Sequence, residues 1–113
     1  MIKIYGIPNC DTMKKAMKWL DKNKLAYEFH DYKKWGVPEK ELKQWVNIAG
    51  WEVVLNKRST TWKGLSEKLK KGLNEYSSVR IMLENPSSIK RPVLVKDKSL
   101  IIGFKEDEYK TLL

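Results

Sequence analysis

The hydrophobic period of this chain changes from two to 3.6 and back to two within its first thirty residues, and that change limits the folds open to it. Ile2 and Ile4, with Tyr5 and Ile7 beside them, read as a short buried strand that Gly6 and Pro8 end. From Asp11 the apolar residues Met13, Ala16, Met17 and Leu20 recur at i, i+3, i+4 and i+7, which predicts a helix ending near Asn23. Leu25, Tyr27 and Phe29 then alternate with Ala26, Glu28 and His30 as a second strand with one covered face. A helix of this length between two strands makes a right-handed crossover, so the strands are expected to lie parallel and adjacent.

Beyond Gly36-Val37-Pro38 the period of 3.6 takes over. Pro38 is predicted as the first residue of a helix whose Leu42, Trp45, Val46 and Ala49 form an apolar stripe before Gly50. Residues 51–55 suit one more short turn, and residues 56–60 a polar loop leading into a helix marked by Trp62, Leu65, Leu69 and Leu73. Ser77 or Ser78 is predicted to cap a further helix carrying Val79, Met82 and Leu83 to a stop at Asn85-Pro86. This block, about residues 38–90, reads as a helical insertion packed against the sheet of a single domain spanning 1–113. Val93-Leu94-Val95, opening after Pro92, and Leu100-Ile101-Ile102 form a hairpin around residues 96–99, with Gly103 closing it. A last helix over 106–113 should turn Tyr109, Leu112 and Leu113 inward. The order β-α-β, helices, β-β-α is the outline of an α/β thioredoxin-like fold with a helical bundle inserted between the second and third strands.

The only cysteine, Cys10, falls where the first strand turns into the first helix. The first backbone amides of a helix lack intrahelical partners and the macrodipole is positive there, so sulfur at that end is favoured as an anion. Its pKa is expected below the ordinary value of about 8.5, where it attacks as a nucleophile. Asn9, Asp11 and Thr12 flank it with groups suited first to capping and then to orienting a substrate. Twenty of the twenty-three cationic residues are lysines; the arginines are Arg58, Arg80 and Arg91, and a planar fork of donors is what lysine lacks in holding oxyanions. Arg80 lies in a predicted helix and suits a structural ion pair. His30, the one histidine, is expected to pack at the end of the second strand rather than act as a base.

Composition sets further bounds. No apolar stretch reaches the length of a membrane span, and residues 1–5 enter a strand without a leader pattern, so a cytoplasmic protein without membrane association is expected. One cysteine cannot close an intramolecular disulfide, and one Cys with one His gives no metal-binding spacing. The net charge of +9 raises the question of nucleic acid, but acidic residues are interspersed among the lysines, and the reading of a solvated surface is preferred.

Several segments together resemble the ArsC/Spx family, and within it the YffB-like branch of small thiol reductases. They are Ile4 to Thr12, Phe29-His30-Asp31-Tyr32, Leu55 to Trp62, Met82 to Pro86, and Ile89 to Val95 with Gly103-Phe104, and the resemblance covers the whole chain. It implies the thioredoxin-like fold, a nucleophile at Cys10, arginines near the thiolate at Arg58 and Arg91, and a cis bond at Arg91-Pro92 that brings Pro92 against the cysteine loop. It also implies no tightly bound cofactor, with glutathione as the thiol co-substrate and a glutaredoxin as a further partner. Spx-like members supply the alternative, a regulator that binds RNA polymerase without turnover. Two departures stand out: Met13 occupies the position of the second thiol of a Cys-x-x-Cys pair, and Gly103-Phe104 stands where glutathione-using arsenate reductases carry a further arginine. These departures weigh against arsenate, and an oxidised sulfur or an oxyanion stands as the expected substrate of a monothiol reductase.

Overall fold

Strand β1 (Ile2–Gly6) runs through the middle of a four-stranded sheet of order β2-β1-β3-β4 in the computed structural model, which describes residues 1–113. Strand β2 (Tyr27–Asp31) pairs with it in parallel, as the crossover requires, and β3 (Val93–Lys96) pairs with it antiparallel on the other side. Strand β4 (Ser99–Ile102) completes the hairpin with β3 across a tight turn in which Asp97 takes a left-handed conformation, φ 54°.

Period two in β1 sends Ile2 and Ile4 to one face and Tyr5 to the other. Ile2 and Ile4 join Leu94, Ile101, Tyr109 and Leu112 in a core covered by helix α1 (Asp11–Lys22) through Met13, Ala16 and Leu20. On the other face, the register sets Tyr5 beside His30 of β2 and Val93 of β3. Gly6 is required at the end of β1, because a Cβ there would overlap the Met13 sulfur and lie 2.9 Å from its methyl carbon. Strand and helix therefore meet without a gap just ahead of Cys10.

The chain divides into two compact units, Met1–Trp35 with Arg91–Leu113, and Gly36–Lys90. The first is the thioredoxin-like α/β unit. It also contains the short helix α2 (Tyr32–Trp35), begun by Asp31 Oδ1 accepting the Lys33 N–H at 2.8 Å, and a closing helix α8 (Glu106–Tyr109). The predicted final helix gives way to a 3-10 turn over Lys110–Leu112, and Leu113 is exposed rather than inward.

The second unit is helical: α3 (Glu39–Ala49), α4 (Trp51–Val54), α5 (Thr60–Lys63), α6 (Glu67–Lys71) and α7 (Glu75–Glu84). Helices α3, α4 and α7 pack on one another, and Leu42, Trp45, Val46, Val79 and Met82 are buried. The segment after α4 is tied to the end of the unit by Asn56 N–H to Ser88 O, 2.7 Å, and Lys90 N–H to Val54 O, 2.9 Å. Three expectations need correction here. Pro38 is extended (ψ 106°) and stands as the cap, so α3 begins at Glu39. The single helix marked by Trp62 to Leu73 is two, interrupted at Gly64 and restarted by Ser66, whose Oγ accepts the Leu69 N–H. The cap of α7 is Asn74, with Ser77 as the reciprocal partner in a capping box. No helix is long and apolar enough to cross a membrane.

Candidate active site

Cys10 occupies the N-cap of α1 itself, with extended backbone (φ −144°, ψ 127°) and its carbonyl accepting the Lys14 N–H at 3.0 Å. No side chain caps the first turn, so the capping role expected of Asn9, Asp11 and Thr12 is not taken up. All three are exposed around the cysteine, Asp11 and Thr12 as the first residues of the helix. The half-buried sulfur accepts the Arg91 Nε–H at 3.5 Å, a contact between residues far apart in the chain that joins the β1 end to the approach to β3. Burial by itself pushes the thiol pKa up. The Arg91 hydrogen bond, the Met13 amide, the Arg91 charge and the Thr12 amide outweigh it, and the thiol titrates below its ordinary value. The two amides act as donors facing the sulfur, although neither completes a formal cap hydrogen bond.

What holds Arg91 is the turn that follows it. Arg91-Pro92 is a cis bond, as the resemblance implies, and Pro92 is fully buried. The Pro92 carbonyl accepts the Gly103 N–H at 2.8 Å, and Gly103 takes φ 82°, a conformation for which glycine is suited. Gly103 thus anchors the arginine's loop to the end of β4, a role that its reading as a simple hairpin stop did not include.

Arg58 stands in the second unit, exposed in the loop ahead of α5, with its backbone N–H donated to Asn56 Oδ1 at 3.0 Å. Arg80 lies on α7 as expected, 3.9 Å from Glu84 and 3.4 Å from the Tyr76 hydroxyl, an exposed arrangement of little energetic weight. His30 sits among aromatic rings, with centroids 5.2 Å from Tyr5, 5.9 Å from Tyr32 and 5.6 Å from Trp35. That packing is the role the sequence predicts for it.

Sequence reasoning assigned no role to Tyr32. Its side chain is buried at the end of β2, the same end of the sheet from which the cysteine loop leaves, and its hydroxyl has no hydrogen-bond partner. Burial and the neighbouring Tyr5 phenol push its pKa far up, while the Arg91 charge acts in the opposite sense. The hydroxyl therefore lies within the field of the same guanidinium that contacts Cys10. The only signal in the sequence was its place in Phe29-His30-Asp31-Tyr32.

The arrangement can stabilise a thiolate and present it beside a fixed cation, and its relatives share the frame that does so. The chain is 46% identical to the solved YffB protein, with a TM-score of 0.93 over 98% of this chain and 97% of that one. An uncharacterized protein of Haemophilus influenzae is 45% identical over 109 residues, 96% of both chains. The global transcriptional regulator Spx of Streptococcus agalactiae is 31% identical over 115 residues, 100% of this chain and 83% of the regulator. The sequence pattern of the ArsC family matches residues 5–112, and with agreement over nearly its whole length the chain belongs to that family.

Proposed function

We propose that this protein is a monothiol reductase in which Cys10 is the nucleophile and glutathione the thiol that restores it. The observation that carries this reading is the Arg91 Nε–H donated to Cys10 Sγ at 3.5 Å, on a sulfur already seated at a helix N-terminus. A thiol held below its ordinary pKa in this way has a larger thiolate fraction at neutral pH. The thiolate attacks one sulfur of a substrate disulfide, forms a mixed disulfide with it and expels the other sulfur as a thiolate. Met13 occupies the place of a second thiol, so release falls to an outside thiolate. One glutathione thiolate attacks the substrate sulfur of the mixed disulfide and Cys10 leaves as thiolate. A second glutathione then attacks the resulting glutathione–substrate disulfide, so both substrate sulfurs end as thiols and the two glutathiones as oxidised glutathione. A glutaredoxin serves as the next candidate for that step.

In this mechanism Arg91 holds the anionic portion of the substrate through charge-assisted hydrogen bonds, and Arg58 keeps the substrate role that the resemblance implies for it. Asn9, Asp11 and Thr12 border the approach to sulfur, and Pro92 shapes its far wall. Cys10→Ser tests the reading directly in an assay of glutathione-dependent reduction of a small mixed disulfide. Turnover should be lost in the variant, and undiminished turnover refutes the proposal.

The 31% identity to Spx across the whole chain favours a second reading, a regulator that docks on RNA polymerase. Retention of polymerase in stoichiometric amount, without thiol-dependent turnover, would decide for it.

A further inference from the structure

Away from the thiol, the positive charge of the chain is arranged in two ways. On α1, Lys14, Lys15, Lys18 and Lys22 are exposed along a helix that also carries Asp11 and Asp21. Over residues 57–71 the cations are Lys57, Arg58, Lys63, Lys68, Lys70 and Lys71, and the only acid is Glu67.

Two cations of the second group converge on one ring. Lys57 Nζ, from the loop ahead of α5, stands 5.5 Å from the centroid of the Trp62 ring, and Lys70 Nζ, from α6, stands 5.4 Å from it. The two ammonium groups are thus no further apart than about 11 Å, close to one Debye length at moderate salt. The shared indole stabilises each charge through its quadrupole without cancelling either. The one counter-charge, Glu67, reaches Lys70 only at 3.7 Å and is itself 81% exposed, so it offsets little.

Local structure holds the group in place. Asn56 Oδ1 fixes the Arg58 amide, Ser59 Oγ accepts the Trp62 N–H at 3.1 Å, and the Thr61 and Ser87 hydroxyls meet at 3.3 Å. Neither α5 nor α6 buries a residue completely, although the Lys70 side chain is only 22% exposed. Gathering like charges in this way costs free energy, and a linear polyanion recovers it by releasing its condensed counterions. Ammonium groups act as point charges, which suits phosphate positions rather than the paired oxygens of a carboxylate.

We propose that the face formed by Lys57, Trp62 and Lys70 binds the phosphodiester backbone of nucleic acid by charge, without reading base sequence. This function is separate from the chemistry of Cys10. Fluorescence anisotropy of a labelled oligothymidylate, and of its duplex with oligoadenylate, titrated with the full chain across a salt series, tests it. Affinity should fall linearly with log salt. Lys57→Gln with Lys70→Gln should weaken binding and reduce the slope by about 1.4 on the single strand and about 1.8 on the duplex. Lys14→Gln with Lys18→Gln should leave the slope nearly unchanged. Should the glutamine pair unfold, Lys57→Arg with Lys70→Arg keeps both charges and must keep the slope. Absence of binding at low salt, or an equal loss of slope from the α1 pair, overturns the proposal. Tighter binding of polyglutamate than of the oligonucleotide at equal charge also overturns it and marks the face as one for an acidic protein.

Discussion

At Cys10 and at Trp62 the protein places cations in opposite circumstances. Arg91 is fixed by a buried cis-proline turn against a half-buried sulfur, one cation on one nascent anion. Lys57 and Lys70 share an aromatic ring on a surface of short helices that bury no residue completely, two cations with almost no counter-charge. Partial removal from water strengthens a contact and lets it change the chemistry of the group it touches. Charge left in water is screened within about 8–10 Å, and its use is to attract and steer.

The largest expected effect lies on the Cys10 side. Arg91→Met removes both the hydrogen bond and the charge that hold the thiol below its ordinary pKa, so the midpoint of Cys10 alkylation against pH should move up. Below that midpoint, alkylation at fixed pH slows about tenfold for each unit of the move. Because the folded pKa is depressed, the stabilisation from the thiolate is present above the unfolded pKa and is lost as pH falls through the folded value. The variant should show less of that pH dependence, because the Met13 and Thr12 amides are left to act alone. Lys57→Gln with Lys70→Gln provides the contrast, since neither lysine is among the causes that lower the thiol. An equal shift from the two sets of variants would break the comparison.

Packing makes a second contrast. Gly6→Ala drives a Cβ into the Met13 sulfur, and Met13 is fully buried, so its chain end has no solvent to move into. The expected cost is about 1–3 kcal/mol, read as several degrees of Tm in thermal melting. Because Met13 lies in the first turn under Cys10, the alkylation midpoint should shift as well. A melt unchanged by Gly6→Ala would mean that strand and helix are less closely seated than the geometry requires.

How far the sequence revealed this molecule follows the same division. The β-α-β unit was legible because Ile2 and Ile4, then Met13, Ala16 and Leu20, obey periods imposed by a deep core, and these residues are buried together. Cys10 could be placed because a helix start is a local feature, and Arg91 could be suspected from Pro92. Their proximity came from the family resemblance and not from periodicity, since the contact depends on β1 and β3 pairing across most of the chain. In the helical unit Trp62, Leu65, Leu69 and Leu73 mimicked a continuous apolar stripe, yet none is buried. With no core to reward continuity, Ser66 settled the matter by capping a new helix. Ser77, expected as the cap itself, is the reciprocal partner of Asn74 in a capping box that uses both side chains. Helix α2 is four residues long, too short for any period to show.

Tyr32 offers the smallest and most discriminating change. Its hydroxyl is buried without a hydrogen-bond partner, a state that disfavours the folded chain relative to a phenylalanine of the same shape. Tyr32→Phe should therefore leave thermal stability unchanged or raise it by about 1 kcal/mol, the reverse of what deleting a satisfied buried hydroxyl does. The ring contact with His30, centroids 5.9 Å apart, is retained, so packing is not what the substitution measures. The neutral phenol contributes no charge to Cys10, and the alkylation midpoint should stay where it is in the parent chain while Arg91→Met moves it. A loss of stability on Tyr32→Phe would show that the hydroxyl has a partner in solution. A shifted midpoint would name Arg91 as that partner, because the guanidinium then divides its donors between sulfur and phenol instead of committing Nε to Cys10.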